Sequence, residues 1–133
     1  MSKEEAEAKV SEFFSAENVA KMEEAKWQDK VEGIKGLGAE VEELKPTADV
    51  VEGLAKFIKT RLKEWKESNL NMIKETIALF TKVSLSCEKV NKRSVACIMP
   101  FLVDKIGDSK YMAGVQELII NLAELVSPKF MAL

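Results

Sequence analysis

Residues 25–34 read Ala25-Lys26-Trp27-Gln28-Asp29-Lys30-Val31-Glu32-Gly33-Ile34. A polar break ends at a tryptophan, and an apolar-periodic segment starts behind it. Val31, Ile34, Leu37, Val41 and Leu44 recur at steps of three and four, the spacing of one buried helix face. The spacing predicts a helix over 27–44. The break then recurs: Ser68-Asn69 opens the next strongly periodic segment and Ser109-Lys110-Tyr111 a third. Trp27, Asn69 and Tyr111 stand 42 residues apart each time. The same shift superimposes Val31, Ile73 and Val115, then Ile34, Thr76 and Leu118, then Val41, Val83 and Leu125. A period of roughly 40–47 residues built from helix pairs is the sign of a HEAT or armadillo-type solenoid. The expected fold is therefore all-α: an α-solenoid of about three HEAT-like helix pairs, with the second helix of each pair on one face and the three breaks along one edge.

Outward from that stretch, residues 1–12 are rich in Ala, Glu and Lys, with Val10 as the one large apolar anchor. They read as a leader, frayed at its start, or a lead-in helix. The helix pairs are expected at about 16–44, 48–85 and 92–126, with the start of a further helix at 128–133. In the first pair, Ser15 caps a helix over 16–24 that places Val19 and Met22 on one face. Gly33, Gly36 and Gly38 inside the following helix each cost about 1 kcal/mol relative to alanine. Close approach of a neighbouring helix explains them. A phosphate loop does not, because no strand precedes them and the glycine order is wrong. Lys45-Pro46-Thr47 separates the first pair from helices at 48–63 and 69–85. In the third pair, Pro100 lies inside a helix over 92–106 whose apolar pattern continues past it, so a kink is expected rather than an end. Gly107-Asp108-Ser109 stops that helix and caps the next, over 110–126.

Composition narrows the function. The chain has 133 residues, 47% apolar and 32% charged, and a net charge of −2. That is one domain's worth of folded, charge-rich sequence with no global field for nucleic acid or anionic membrane. Residues 1–25 are acidic, with seven glutamates against three lysines, a mild asymmetry that suits a solvated face. There is no histidine, so acid–base catalysis would fall to carboxylates or lysines, and Glu–Lys neighbours arise by default on charge-laced helices. No enzyme activity, metal site or cofactor is expected. Cys87 and Cys97 form no CxxC and read as buried small residues in a reducing setting. The basic run Lys56, Lys59, Arg61, Lys63 and Lys66 is interrupted by Glu64 and Glu67 and has no stacking aromatics, which argues against nucleic acid. No apolar run is long enough to span a membrane, and the acidic start lacks the features of a signal peptide.

Two tryptophans read differently. Trp65 lies at helical spacing from Leu62 and is expected to pack. For Trp27, composition favours a packed side chain, since tryptophan is highly buried on average. Its flanks Lys26, Gln28, Asp29 and Lys30 favour an exposed anchor of the type enriched at interface hot spots. Lys26, Lys66 and Lys110 stand at equivalent edge positions and form a weakly basic ridge suited to an acidic protein partner.

On three segments the chain resembles a TOG domain, the tubulin-binding HEAT module of the chTOG and mini spindles type of microtubule polymerase. These are Ala25 to Ile34 as quoted above, Glu64-Trp65-Lys66-Glu67-Ser68-Asn69-Leu70, and Leu102-Val103-Asp104-Lys105-Ile106-Gly107-Asp108-Ser109-Lys110. The last two are most similar to the third TOG module of such proteins. The resemblance covers about residues 13–133 and implies a partial TOG paddle. It implies a partner, the αβ-tubulin heterodimer at microtubule ends or free, and contact through the intra-repeat loops. Lys26, Trp27 and Lys30 map to the first loop, Glu67, Ser68 and Asn69 to the second, and Ser109 and Lys110 to the third. Lys30 stands where the family often has arginine, so a forked donor becomes a point charge. A full paddle has about six repeats and this chain three. The resemblance thus implies that the remaining repeats of a parent chain are also partners, and that Val126, Phe130, Met131 and Leu133 are partly uncovered at an open stack end. It implies a cytoplasmic setting on microtubules, spindle or centrosome. The residues alone leave a second reading, a HEAT scaffold that binds a helix or peptide of another protein in its concave groove.

Overall fold

In the computed structural model, residues 2–126 are described. They form seven helices and no strand: α1 (Lys3–Phe13), α2 (Ala16–Lys21), α3 (Trp27–Leu44), α4 (Ala48–Arg61), α5 (Leu70–Ser86), α6 (Lys92–Ile106) and α7 (Met112–Leu125). The all-α solenoid read from the 42-residue period is the observed architecture. Helices α1, α4 and α6 pack in series as one layer, and α3, α5 and α7 as the other. Between the layers lies one apolar core, in which Leu37, Leu54, Phe57, Phe80, Phe101 and Leu118 are all buried.

The second-layer helices run parallel, as their contacts show. Lys35 pairs with Glu75 and Glu42 with Lys82, while a Cβ on Gly114 would touch Ile77 and Asn121 donates to Ser84. Early residues meet early residues, so the N-termini of α3, α5 and α7 lie at one end of the stack. That end carries the three breaks.

Of the two readings of the N-terminal stretch, Lys3–Phe13 form the lead-in helix and not a frayed leader. Ala6 and Val10 are fully buried and α1 packs on α4. Two small anchors suffice because Gly53 lets α1 approach closely: a Cβ there would lie 3.1 Å from Cβ and Cγ of Lys9. The helix expected over 16–24 is shorter, ending at Lys21. Its start is held from α3, where the Glu40 carboxylate accepts from the Ser15 N–H (2.8 Å), the Ser15 hydroxyl (3.0 Å) and the Asn18 amide (2.6 Å). Close approach accounts for the α3 glycines. Cβ atoms on Gly33 and Gly36 would collide with α2, and one on Gly38 would crowd Lys82 of α5.

Helix α6 continues through Pro100. Proline has no N–H for the carbonyl four residues back. One carbonyl further on, that of Cys97, accepts the indole N–H of Trp65 at 2.8 Å. Between α4 and α6, the buried Glu52 carboxylate accepts from Asn91 (2.9 Å) and Arg93 (3.2 Å). Burial pushes this carboxyl up, but those two hydrogen bonds and the Arg93 charge outweigh it and hold Glu52 below the usual carboxylate range. Val126, expected at an open end, is buried instead. Phe130, Met131, Leu133 and the expected helix start at 128–133 lie outside the described residues.

Candidate binding edge

The first connection, residues 22–26, is tied down at its start, at Met22 and Glu23. The Lys30 ammonium donates to the Met22 carbonyl at 2.8 Å and so caps the end of α2. Glu23 accepts from the Arg61 guanidinium, which also reaches Glu7 at 2.7 Å and lies 4.4 Å over the Phe57 ring. Trp27 is the first residue of α3 and is 39% exposed.

The second connection is built differently. Lys63, Glu64 and Trp65 have φ of 56°, 56° and 69°, three successive left-handed residues without a glycine. Each costs about 1–2 kcal/mol in steric crowding. The turn is over-determined by its bonds. Glu64 N–H donates to the Lys59 carbonyl (2.9 Å) and Glu67 N–H to the Leu62 carbonyl (3.1 Å). Trp65 is buried, its ring 4.8 Å from Phe101 and 6.2 Å from Phe80 between centroids. Trp65 therefore packs as expected from its spacing, though through a left-handed turn rather than a continued helix.

In the third connection, the Asp108 carboxylate accepts the Lys110 N–H at 2.9 Å and lies 3.8 Å from the Lys110 ammonium. Tyr111 is buried at the start of α7.

All eight predicted edge residues stand at this end of the stack, in two groups. Lys26, Trp27, Ser68, Ser109 and Lys110 present exposed side chains. Lys30, Glu67 and Asn69 are engaged in backbone bonds. Lys30 caps α2, Glu67 accepts from the Ser68 and Asn69 N–H groups (3.0 and 3.1 Å), and Asn69 caps α5 by accepting the Met72 N–H (3.1 Å). Lys66 of the basic ridge is exposed, like Lys26 and Lys110.

Sequence reasoning missed an apolar row. Trp27, Leu70 and Met112 are the first residues of α3, α5 and α7, exposed by 39%, 41% and 43%. A Cα–Cβ bond tilts toward its helix N-terminus, so these three side chains reach out over the edge. The signal was present, one position after the cap in the second and third repeats.

The edge is stepped. Contacts pair 35 with 75 between α3 and α5, and 77 with 114 between α5 and α7. Helix α7 thus begins about five residues deeper than α5, an axial setback of about 7 Å. Elsewhere, Cys87 and Cys97 are free thiols; burial pushes both above the usual cysteine value, with Lys59 and Lys56 working against it at Cys97. No cluster that could hold a metal ion exists among the described residues. No described helix is long and apolar enough to cross a membrane.

A two-layer helical stack with parallel second helices and its intra-repeat connections at one end defines a HEAT-like α-solenoid. The chain is similar to Protein MOR1 of Oryza sativa subsp. japonica, 25% identical over 130 residues, and to Protein MOR1 of Arabidopsis thaliana, 24% identical over 130 residues. Both alignments cover 98% of this chain and 6% of the relative, so the chain spans about 6% of the length of the curated relatives it matches. No family model and no solved structure matches.

Proposed function

We propose that the chain is a tubulin-binding TOG-type module of a microtubule-associated assembly factor, acting by binding rather than catalysis on the cytoplasmic microtubule cytoskeleton. Its surface is the stepped edge, and its partner is the αβ-tubulin heterodimer. The observation that carries the reading is the row Trp27, Leu70 and Met112, one exposed apolar side chain at the mouth of every second-layer helix. Exposed apolar side chains gathered along one edge mark an interaction site when they form a patch. Exposed Lys26, Lys66, Ser68, Ser109 and Lys110 surround the row with polar and basic groups, the rim expected of an interface facing an acidic protein. The likeness to the two MOR1 proteins supports a microtubule-associated partner. Lys30, Glu67 and Asn69 contribute by holding the connections in shape.

Sedimentation velocity with αβ-tubulin tests this. The wild-type chain is expected to co-sediment weakly at micromolar concentration, and Trp27→Glu to lose binding by at least ten-fold, with Leu70→Glu and Met112→Glu each intermediate. Unchanged binding in Trp27→Glu would remove the anchor. No binding by the wild type would sink the tubulin reading.

A further inference from the structure

Alongside the first turns of α7, where Gly114 has no side chain, a surface notch lies between α5 and α7. Its volume is about 470 Å³ and its floor is apolar, made by Ile77 and Ala78 of α5 and Tyr111 and Gly114 at the α7 start. Depth comes from the helix approach: a Cβ on Gly114 would stand 3.2 Å from Cγ2 of Ile77. Lysines 74, 82 and 110 reach its mouth, against Glu117 as the one carboxylate there. Lys82 and Lys110 also lie near Glu42 (3.2 Å) and Asp108 (3.8 Å). Those are exposed pairs, worth about 0–1 kcal/mol, and are readily exchanged for a better partner.

We propose that this notch docks a peptide segment bearing one large apolar side chain between carboxylates. The apolar side chain would cover Ile77, Ala78 and Tyr111, and the flanking carboxylates would meet Lys74, Lys82 and Lys110. Two features favour this occupant. The lining carries three lysines against one carboxylate on a chain of net charge −2, so once the exposed pairs with Glu42 and Asp108 are exchanged it favours an acidic segment. The notch is also continuous with the edge through Lys110, so a segment seated there can belong to a protein already held at the edge. The site differs from the loop contacts in its chemistry: it receives a side chain in an open depression, whereas the edge presents side chains outward.

The test uses no tubulin, so its outcome is independent of the preceding proposal. Fluorescence anisotropy would be measured with a fluorescein-labelled heptapeptide of glutamates around a central phenylalanine, and with its twin carrying serine at the centre. The wild type is expected to prefer the phenylalanine peptide by at least ten-fold, about 1.4 kcal/mol. Ala78→Leu, an exposed position that fills the notch, should level the two peptides. Lys74→Glu should weaken both several-fold. Circular dichroism would check that both variants keep the fold. Equal affinity of the twins for the wild type, no binding of either, or a preference that survives Ala78→Leu would each overturn the proposal.

Discussion

Two connections of the same repeat type carry a tryptophan each, and the two side chains have opposite fates. Trp65 sits in a left-handed turn, packs against Phe80 and Phe101, and donates to the Cys97 carbonyl in the turn before Pro100. Trp27 stands at the first turn of α3, where side chains tilt away from the stack, and stays 39% exposed. The connection around Trp27 is nonetheless held firmly, by Lys30 on the Met22 carbonyl and Arg61 on Glu23. A fixed loop that leaves its largest apolar group partly in water suits the binding role proposed above. A strained loop that buries its tryptophan is arranged for the fold. Residue type alone separates neither case; backbone handedness and an available carbonyl do.

Truncating the two tryptophans should split them most widely. Trp65→Ala removes a packed ring and its hydrogen bond and should cost about 3–5 kcal/mol, lowering Tm by roughly 10–20 °C. Trp27, 39% exposed, keeps part of its ring against the fold, so Trp27→Ala should cost clearly less, about 1 kcal/mol. Thermal melts followed by circular dichroism read both. The single-tryptophan variants add a spectroscopic form of the same comparison. Trp27 in Trp65→Phe should emit to the red and be quenched by acrylamide, and Trp65 in Trp27→Phe should emit to the blue and resist quenching. Similar melts or similar spectra would dissolve the contrast.

A smaller effect is expected at Arg61, which ties the first connection to α1 through Glu23 and Glu7. Arg61→Met keeps the stem and removes the guanidinium. Its partners are partly exposed, so the loss should be about 1–2 kcal/mol rather than that of a fully buried pair. Amide hydrogen exchange should accelerate over residues 22–26 and leave 63–69 unchanged. Acceleration of both connections alike would mean that Arg61 supports the whole stack and not the Trp27 loop in particular.

The helices and their order were legible because apolar spacing at three and four residues is a direct consequence of helix geometry, and the 42-residue period repeated it in register. What escaped the sequence depends on contacts between elements. The burial of α1 rests on Gly53 allowing close approach, which one strand of letters does not reveal. The engagement of Lys30, Glu67 and Asn69 depends on which backbone groups are left unbonded at each helix end. The setback of α7 depends on how far one parallel helix slides on another, while the sequence period fixes only the interval between breaks. The exposed row Trp27, Leu70 and Met112 was visible in letters but acquired meaning only once all three stood at the mouths of adjacent helices.

The smallest expected effect tests the strain itself. Lys63 sits at φ 56°, is highly exposed, and makes one ion pair, at 3.8 Å, with the largely covered Glu67. Glycine there relieves a left-handed penalty of about 1–2 kcal/mol but adds unfolded-chain entropy of about 0.5–1 kcal/mol. Lys63→Gly should therefore stabilise the chain by about 0.5 kcal/mol. The first connection has no positive-φ residue among 22–26, so Glu24→Gly relieves nothing and should destabilise by a similar amount. Urea denaturation midpoints of the two variants should move in opposite directions. If both move down, the left-handed turn carries no strain that glycine can release, and the two connections differ in where their tryptophans point but not in how their backbones are loaded.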